Sequence, residues 1–163
     1  MILENTLHKI IQKILDDPED EDVKAIELDM WKKIKNAALA GRRTGLGLTG
    51  LGDTLAMLGN TYGSKESIKI TEKVYKILAL SAYKSSCQLA EERGAFEVYD
   101  FEKEVNHPFI QRLFESDPEL QVLHQTHGRR NIALTTTAPC GSVSMLTQTT
   151  SGIEPPFMLK YTR

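Results

Sequence analysis

Residues 129–145 read Arg129-Arg130-Asn131-Ile132-Ala133-Leu134-Thr135-Thr136-Thr137-Ala138-Pro139-Cys140-Gly141-Ser142-Val143-Ser144-Met145, and Ser151-Gly152-Ile153-Glu154-Pro155-Pro156-Phe157 follows shortly after. Ile132 to Thr137 is an uncharged, β-rich run between an arginine pair and a proline, which predicts a short buried strand. A proline, a glycine and two serines come next, and then the apolar Met145-Leu146 that can open a helix. The pattern predicts a strand handing over to a helix through a turn of small residues.

Such a turn has a chemical reading. The first N–H groups of a helix lack intrahelical partners and carry partial positive charge, so an anion placed there meets donors already oriented toward it. Gly141 permits close approach of backbone to ligand, Pro139 stiffens the lead-in, and the hydroxyls of Ser142 and Ser144 add potential donors to phosphate oxygens. The plainer alternative is that Ser142 is an ordinary N-cap in a βα connection that binds nothing.

Arg130-Asn131, the run Ile132–Thr137, Ala138-Pro139-Cys140-Gly141-Ser142-Val143-Ser144, Ser151-Gly152-Ile153-Glu154-Pro155, Phe157 and Tyr161-Thr162-Arg163 together resemble the catalytic subunit of ribonucleotide reductase, most of all its adenosylcobalamin-dependent class. A second match lies upstream. Arg42-Arg43-Thr44-Gly45-Leu46-Gly47-Leu48-Thr49-Gly50 resembles the family's Arg-Arg-Ile-Gly-Leu-Gly-Val-Met-Gly, with Thr44 in place of isoleucine and Gly52 as an extra glycine. The resemblance runs from about Lys35 to Arg163. It implies that Ala138, Pro139, Cys140, Gly141, Ser142, Val143 and Ser144 hold the phosphates of a ribonucleotide whose 2′ carbon is reduced by radical chemistry. Cys140 stands where the family usually has threonine or serine, which removes a hydroxyl but leaves the backbone donors.

The fold expected on this basis is mainly α with a small β component, a fragment of the ten-stranded α/β barrel of ribonucleotide reductase. Residues 1–163 are read as one domain: 1–40 an N-terminal helical hairpin, 41–128 a helical core, and 129–163 strand, phosphate loop and return strand. The resemblance also implies adenosylcobalamin as cofactor of the complete enzyme, with none expected on this chain alone. Implied partners are the ribonucleotide and the remainder of the reductase subunit, with a homodimer as a further option. The family's catalytic cysteine lies on a finger loop with Asn and Glu nearby, yet an Asn-x-Cys-x-Glu string is absent, and neither Cys87 nor Cys140 falls at a catalytic position. The chain is therefore expected to carry no catalytic residue and to be inactive by itself, as a segment of a longer ribonucleoside-diphosphate reductase subunit or a split fragment that assembles with its missing portion. Two other readings stand beside it: a non-catalytic module that binds nucleotide phosphates, and a structural helical domain.

Composition narrows the alternatives. At 163 residues the chain can bury a core, and a formal net charge of −2 argues against a dedicated nucleic-acid surface. No apolar run approaches membrane-spanning length and Met1-Ile2-Leu3-Glu4-Asn5 lacks the regions of a signal peptide, so a cytoplasmic protein is expected. Cys87 and Cys140 are expected to be free thiols.

Along the chain, Leu3, Leu7, Ile10, Ile11 and Ile14 mark one amphipathic helix, ended by Asp16-Asp17-Pro18, and Val23, Ile26, Met30 and Ile34 mark another. The acidic run between them reads as a solvated linker; no glycine sits where a calcium loop must bend. Gly45, Gly47 and Gly50 spell G-x-G-x-x-G, but a helix precedes them and no βαβ unit surrounds them, so close packing of backbones is the better reading than dinucleotide binding. Ser64 to Gly94 brackets the longest helix, with Ile70, Val74, Ile77, Leu78, Ser81, Ser85 and Leu89 expected on its packed face and Tyr75, Tyr83 and Cys87 read as packing residues rather than redox groups. His124 and His127, three apart, lack a third ligand with supporting spacing, so no metal site is expected.

Overall fold

The computed structural model describes residues 2–156 and residue 158. Within them the chain forms eight helices: α1 Ile2–Asp16, α2 Glu21–Gly41, α3 Leu51–Met57, α4 Lys65–Arg93, α5 Phe101–Glu104, α6 Pro108–Ser116, α7 Pro118–His127 and α8 Gly141–Thr147.

Local chemistry explains most of the boundaries. Glu21 and Asp22 sit in the first turn of α2, where their charge complements the helix dipole. Ser64 caps α4 by accepting from the Ser67 N–H, and Gly94, at φ +80°, ends it in a conformation that glycine adopts without steric cost. Pro108 and Pro118 open α6 and α7, where a missing N–H costs nothing; Asp117 caps α7 by accepting from Glu119 and Leu120.

Helix α1 packs on α2, and α7 packs on both α4 and α6. The core between them is made by Tyr83 and Cys87 of α4, Ile110, Leu113 and Phe114 of α6, Leu120 of α7, and Leu134 from the run after α7. Leu134 is the buried apolar contact of the 129–137 segment with the helices.

The expected barrel fragment is not what the chain forms. Among the described residues there is no strand, sheet or barrel, only one isolated parallel bridge between Leu46 and Thr135. Thr44 and Leu46 donate to the carbonyls of Ala133 and Leu134, and Thr136 donates back to Leu46, after which the pairing stops. The physical reason is that a parallel ladder needs neighbours on its flanks, and the run Ile132–Thr137 has one short partner interrupted by Gly45 and Gly47. Its burial differs too: Leu134 is buried, whereas Thr135, Thr136 and Thr137 are exposed. The return strand expected over Phe157–Tyr161 lies outside the described residues, Met158 apart.

Two helix faces also differ from expectation. On α4 the buried residues are Ser67, Tyr83, Ser86, Cys87 and Ala90, while Ile77, Ser81, Ser85 and Leu89 face outward. On α2 the stripe Val23, Ile26, Met30 and Ile34 is exposed, Ile26 to 74%.

Candidate functional site

The Ala138–Ser144 loop is assembled from an extended lead-in and the first turn of α8. Ala138 and Pro139 are exposed, Cys140 is the residue before the helix, and no side chain caps the helix start. The Cys140 N–H donates to the Ser151 carbonyl at 2.7 Å and the Ser144 N–H to the Cys140 carbonyl at 2.8 Å. Between them, the N–H groups of Gly141, Ser142 and Val143 have no acceptor among the described residues. Three adjacent donors therefore face solvent at the positive end of a helix, which suits an oxyanion.

The side chains divide. Ser144 is buried and its Oγ donates back to the Gly141 carbonyl at 2.8 Å, so its proton is committed within the loop. Cys140 likewise turns inward, its Sγ 3.3 Å from the Ala138 carbonyl. Ser142 is exposed and is the loop hydroxyl that faces outward. A Cβ built on Gly141 meets nothing within 4 Å, so neither packing nor backbone conformation requires glycine there. Among the described residues the three amides have no carboxylate or imidazole bonded to them, so what the loop presents at this point is hydrogen-bond donors.

What holds the loop is the glycine stretch. A Cβ on Gly47 would lie 2.2 Å from the Thr136 carbonyl oxygen, and one on Gly52 would lie 2.7 Å from the Pro155 nitrogen. The Gly50 N–H donates to the Gly152 carbonyl, the Thr49 hydroxyl to the Thr150 carbonyl at 2.6 Å, and the Thr150 N–H to Asp53 Oδ2 at 2.6 Å. Both ends of the segment carrying α8 are thus laid against residues 44–53, and G-x-G-x-x-G here serves backbone contact rather than a nucleotide. Asp53 and Thr49 were not readable as site residues, because their partners lie about a hundred positions away.

The lead-in is anchored in the core. Arg129 is 6% exposed; its Nε donates to Glu104 Oε2 at 2.9 Å, Nη2 to Oε1, and Nη1 to the carbonyls of Asn131 and Ile132. Its guanidinium lies over the rings of Phe96 and Tyr83. Next to this pair His124 is fully buried, with Nδ1 2.9 Å from the Tyr99 hydroxyl, which donates to the His124 carbonyl at 2.6 Å. That hydroxyl has one proton, so Nδ1 carries the imidazole hydrogen, and Nε2 has no hydrogen-bond partner among the described residues. Burial pushes the His124 pKa down to about 4, opposed by the Glu104 charge and assisted by Arg129. Burial likewise pushes the Cys87 thiol up to about 12, so Cys87 is a packed, unreactive residue. Among the described residues no group of three or more His, Cys, Asp or Glu side chains could hold a metal ion, and His127 does not join His124.

The arrangement is matched by a family. The model described as ribonucleotide reductase, barrel domain, covers residues 20–163. The chain belongs to the ribonucleotide reductase family. It is 34% identical over 143 residues to the vitamin B12-dependent ribonucleoside-diphosphate reductase of Mycobacterium tuberculosis, covering 88% of this chain and 18% of that protein. To the protein of the same name from Thermoplasma acidophilum it is 32% identical over 151 residues, 93% of this chain and 17% of the relative. Ribonucleoside-diphosphate reductase subunit alpha of Chlamydia muridarum is 26% identical over 182 positions, 91% of this chain and 17% of the relative. The chain thus spans less than a fifth of the length of these reductases. The family match extends fifteen residues upstream of Lys35, to the start of α2, and takes in both the glycine stretch and the Ala138–Ser144 segment.

Proposed function

We propose that this chain serves as a segment of a ribonucleotide reductase catalytic subunit, an oxidoreductase supplying deoxyribonucleotides for DNA replication, and that Ala138 to Ser144 hold the phosphates of the ribonucleotide. The observation that carries this is the row of three N–H groups, Gly141 to Val143, left without acceptors in a loop otherwise fastened at both ends. Within the loop the donors are these three amides and the Ser142 hydroxyl; Cys140 and Ser144 shape it. The relatives' names make a ribonucleoside diphosphate the favoured substrate.

Adenosylcobalamin is the cofactor we assign to the complete enzyme, on the names of the Mycobacterium and Thermoplasma relatives. The residues of this chain do not fit it as a site of their own: the grooves beside Arg42, Tyr75 and Phe114 have volumes of about 200, 320 and 420 Å³, each too small for a corrin with its nucleotide arms. Radical reduction would depend on cysteines from the rest of the subunit, since Cys87 is sealed in the core and Cys140 is turned into its own loop. The chain by itself is then a binding element without turnover. A cytoplasmic location and homodimeric assembly of the complete enzyme belong to the same proposal; in this chain no helix among the described residues is long and apolar enough to cross a membrane.

The test is removal of one donor without disturbing the helix. Proline is well tolerated at the first helical position, and Gly141 occupies it with open space around its Cβ. Titration of the ¹⁵N-labelled chain with a ribonucleoside diphosphate should shift the Gly141, Ser142 and Val143 amides. Gly141→Pro should weaken binding about tenfold or more, as expected for a lost hydrogen bond to a charged group of about 1.5–3 kcal/mol. Unmoved amides at millimolar ligand, or equal affinity in Gly141→Pro, would count against the loop.

A further inference from the structure

The two Arg-Arg pairs of the sequence are not both used by the loop. Arg129 goes to the core, but Arg42, Arg43 and Arg130, with Arg93 from the end of α4, line a single pocket of about 200 Å³ where α1, α2 and α4 meet the 130–131 backbone. Leucines of those helices form its floor, and Glu4, ion-paired to Arg42, is the one acidic residue lining it. Neither Arg43 nor Arg130 has a carboxylate within ion-pair reach among the described residues, and Arg93 has only its neighbour Glu92 at 3.8 Å. Four guanidiniums around one cavity against one carboxylate leave a strong excess of positive charge.

The pocket is built rather than incidental. Arg42 adopts φ +47° and ψ +45°, a left-handed conformation that costs a residue with a Cβ about 1 kcal/mol or more and that helix ends usually give to glycine. A hydrogen bond holds it there: Asn131 Nδ2 donates to the Arg42 carbonyl at 2.7 Å, and Asn131 is itself fixed by Ser86, which donates to Oδ1 at 2.9 Å and accepts from the Asn131 N–H at 3.1 Å. Arg130 is steadied by Nη1 donating to the carbonyls of Arg93 and Gly94 at 2.7 and 2.9 Å. Burial, Arg42 and Arg93 disfavour its charge, opposed in part by Glu4. Like charges have been brought together at a cost in repulsion that an anion would relieve.

We propose that this pocket is a second oxyanion site, taking a phosphate ester or diphosphate group through Arg42, Arg43, Arg93 and Arg130. Guanidinium forks pair with phosphate oxygens two at a time, and a tetrahedral polyanion offers enough oxygens for three or more forks where a carboxylate offers two. The apolar floor beside the forks favours an organic phosphate over the free ion. The site uses none of the residues of the Ala138–Ser144 loop and stands or falls apart from it.

Sodium pyrophosphate is the probe. It is titrated into the ¹⁵N-labelled full chain at constant ionic strength, with chloride as control, while the arginine Nε–Hε signals are followed. Saturable shifts at Arg43 and Arg130 are expected, with affinity falling at least tenfold in Arg43→Gln and in Arg130→Gln. If loss of its carbonyl contacts unfolds Arg130→Gln, the exposed Arg43→Gln decides. Shifts no larger than those with chloride would overturn the proposal, as would saturation confined to the Gly141–Val143 amides, affinity unchanged in Arg43→Gln, or capture of an acidic peptide in preference to pyrophosphate.

Discussion

At His124 a neutral imidazole is held in a dry cage of Tyr99, Phe101 and Phe114 beside the Glu104–Arg129 pair. Its folded pKa of about 4 lies below the ordinary value of 6.5, so between those limits the unfolded chain binds the extra proton and the folded chain does not. Stability from this group is therefore full above about pH 6.5 and is lost as pH falls toward 4, by at most about 3 kcal/mol. Urea midpoints at pH 7 and pH 4.5 should show a drop that shrinks in His124→Gln; an equal drop in that variant would assign it to carboxylates instead. Asn131, which ties Ser86 to Arg42, gives a second residue-scale expectation. Asn131→Ala strands a partly buried hydroxyl and the Arg42 carbonyl, and should cost about 1–3 kcal/mol in the same assay.

Among the elements, the extended segment over residues 44–50 is the one whose sequence is dictated by a neighbour. A methyl group on Gly47 would strike the Thr136 carbonyl, which is backbone and cannot rotate away, so Gly47→Ala should lose about 2 kcal/mol or more. Gly141→Ala should change stability by less than about 0.5 kcal/mol, because its methyl enters open space. Chemical denaturation of the two variants checks the contrast. Helix ends at Asp16-Asp17-Pro18, Ser64 and Gly94 could be read from sequence because a cap and its helix are neighbours in the chain. Pairing of Thr44 with Ala133, 89 residues apart, could not, nor could Glu104 as the partner of Arg129. The turn into α8 was legible from Pro139 and Gly141, but the local bond of the Ser144 hydroxyl was not. That hydroxyl folds back onto the Gly141 carbonyl, a bond that no spacing in the sequence announces. The faces of α2 and α4 misled for a different reason: periodicity records that a stripe is apolar, not which surface covers it.

For the molecule as a whole, those stripes have a cost. Ile26 and Met30 of α2, Ile77 of α4 and Leu146 of α8 are large apolar residues in water, Leu146 to 87%. Contiguous exposed apolar surface drives association, so the isolated 18.3 kDa chain should sediment as a concentration-dependent mixture rather than a single species. Replacing Ile26 and Met30 with glutamate should move the distribution toward monomer without loss of helical signal; an unchanged distribution would place the sticky surface elsewhere. The glycine zipper between residues 44–53 and 133–155 predicts an order of events in folding. It joins stretches separated by up to 101 positions, so its closure entropy is borne after the local helices have formed, and few buried apolar side chains reward it. The 138–144 loop is then expected to be the last part of the chain to assemble and the first to open, an order that amide exchange of the free chain checks. A nucleotide that settles on it would act as a clasp, slowing amide exchange along both sides of the zipper at positions it never touches.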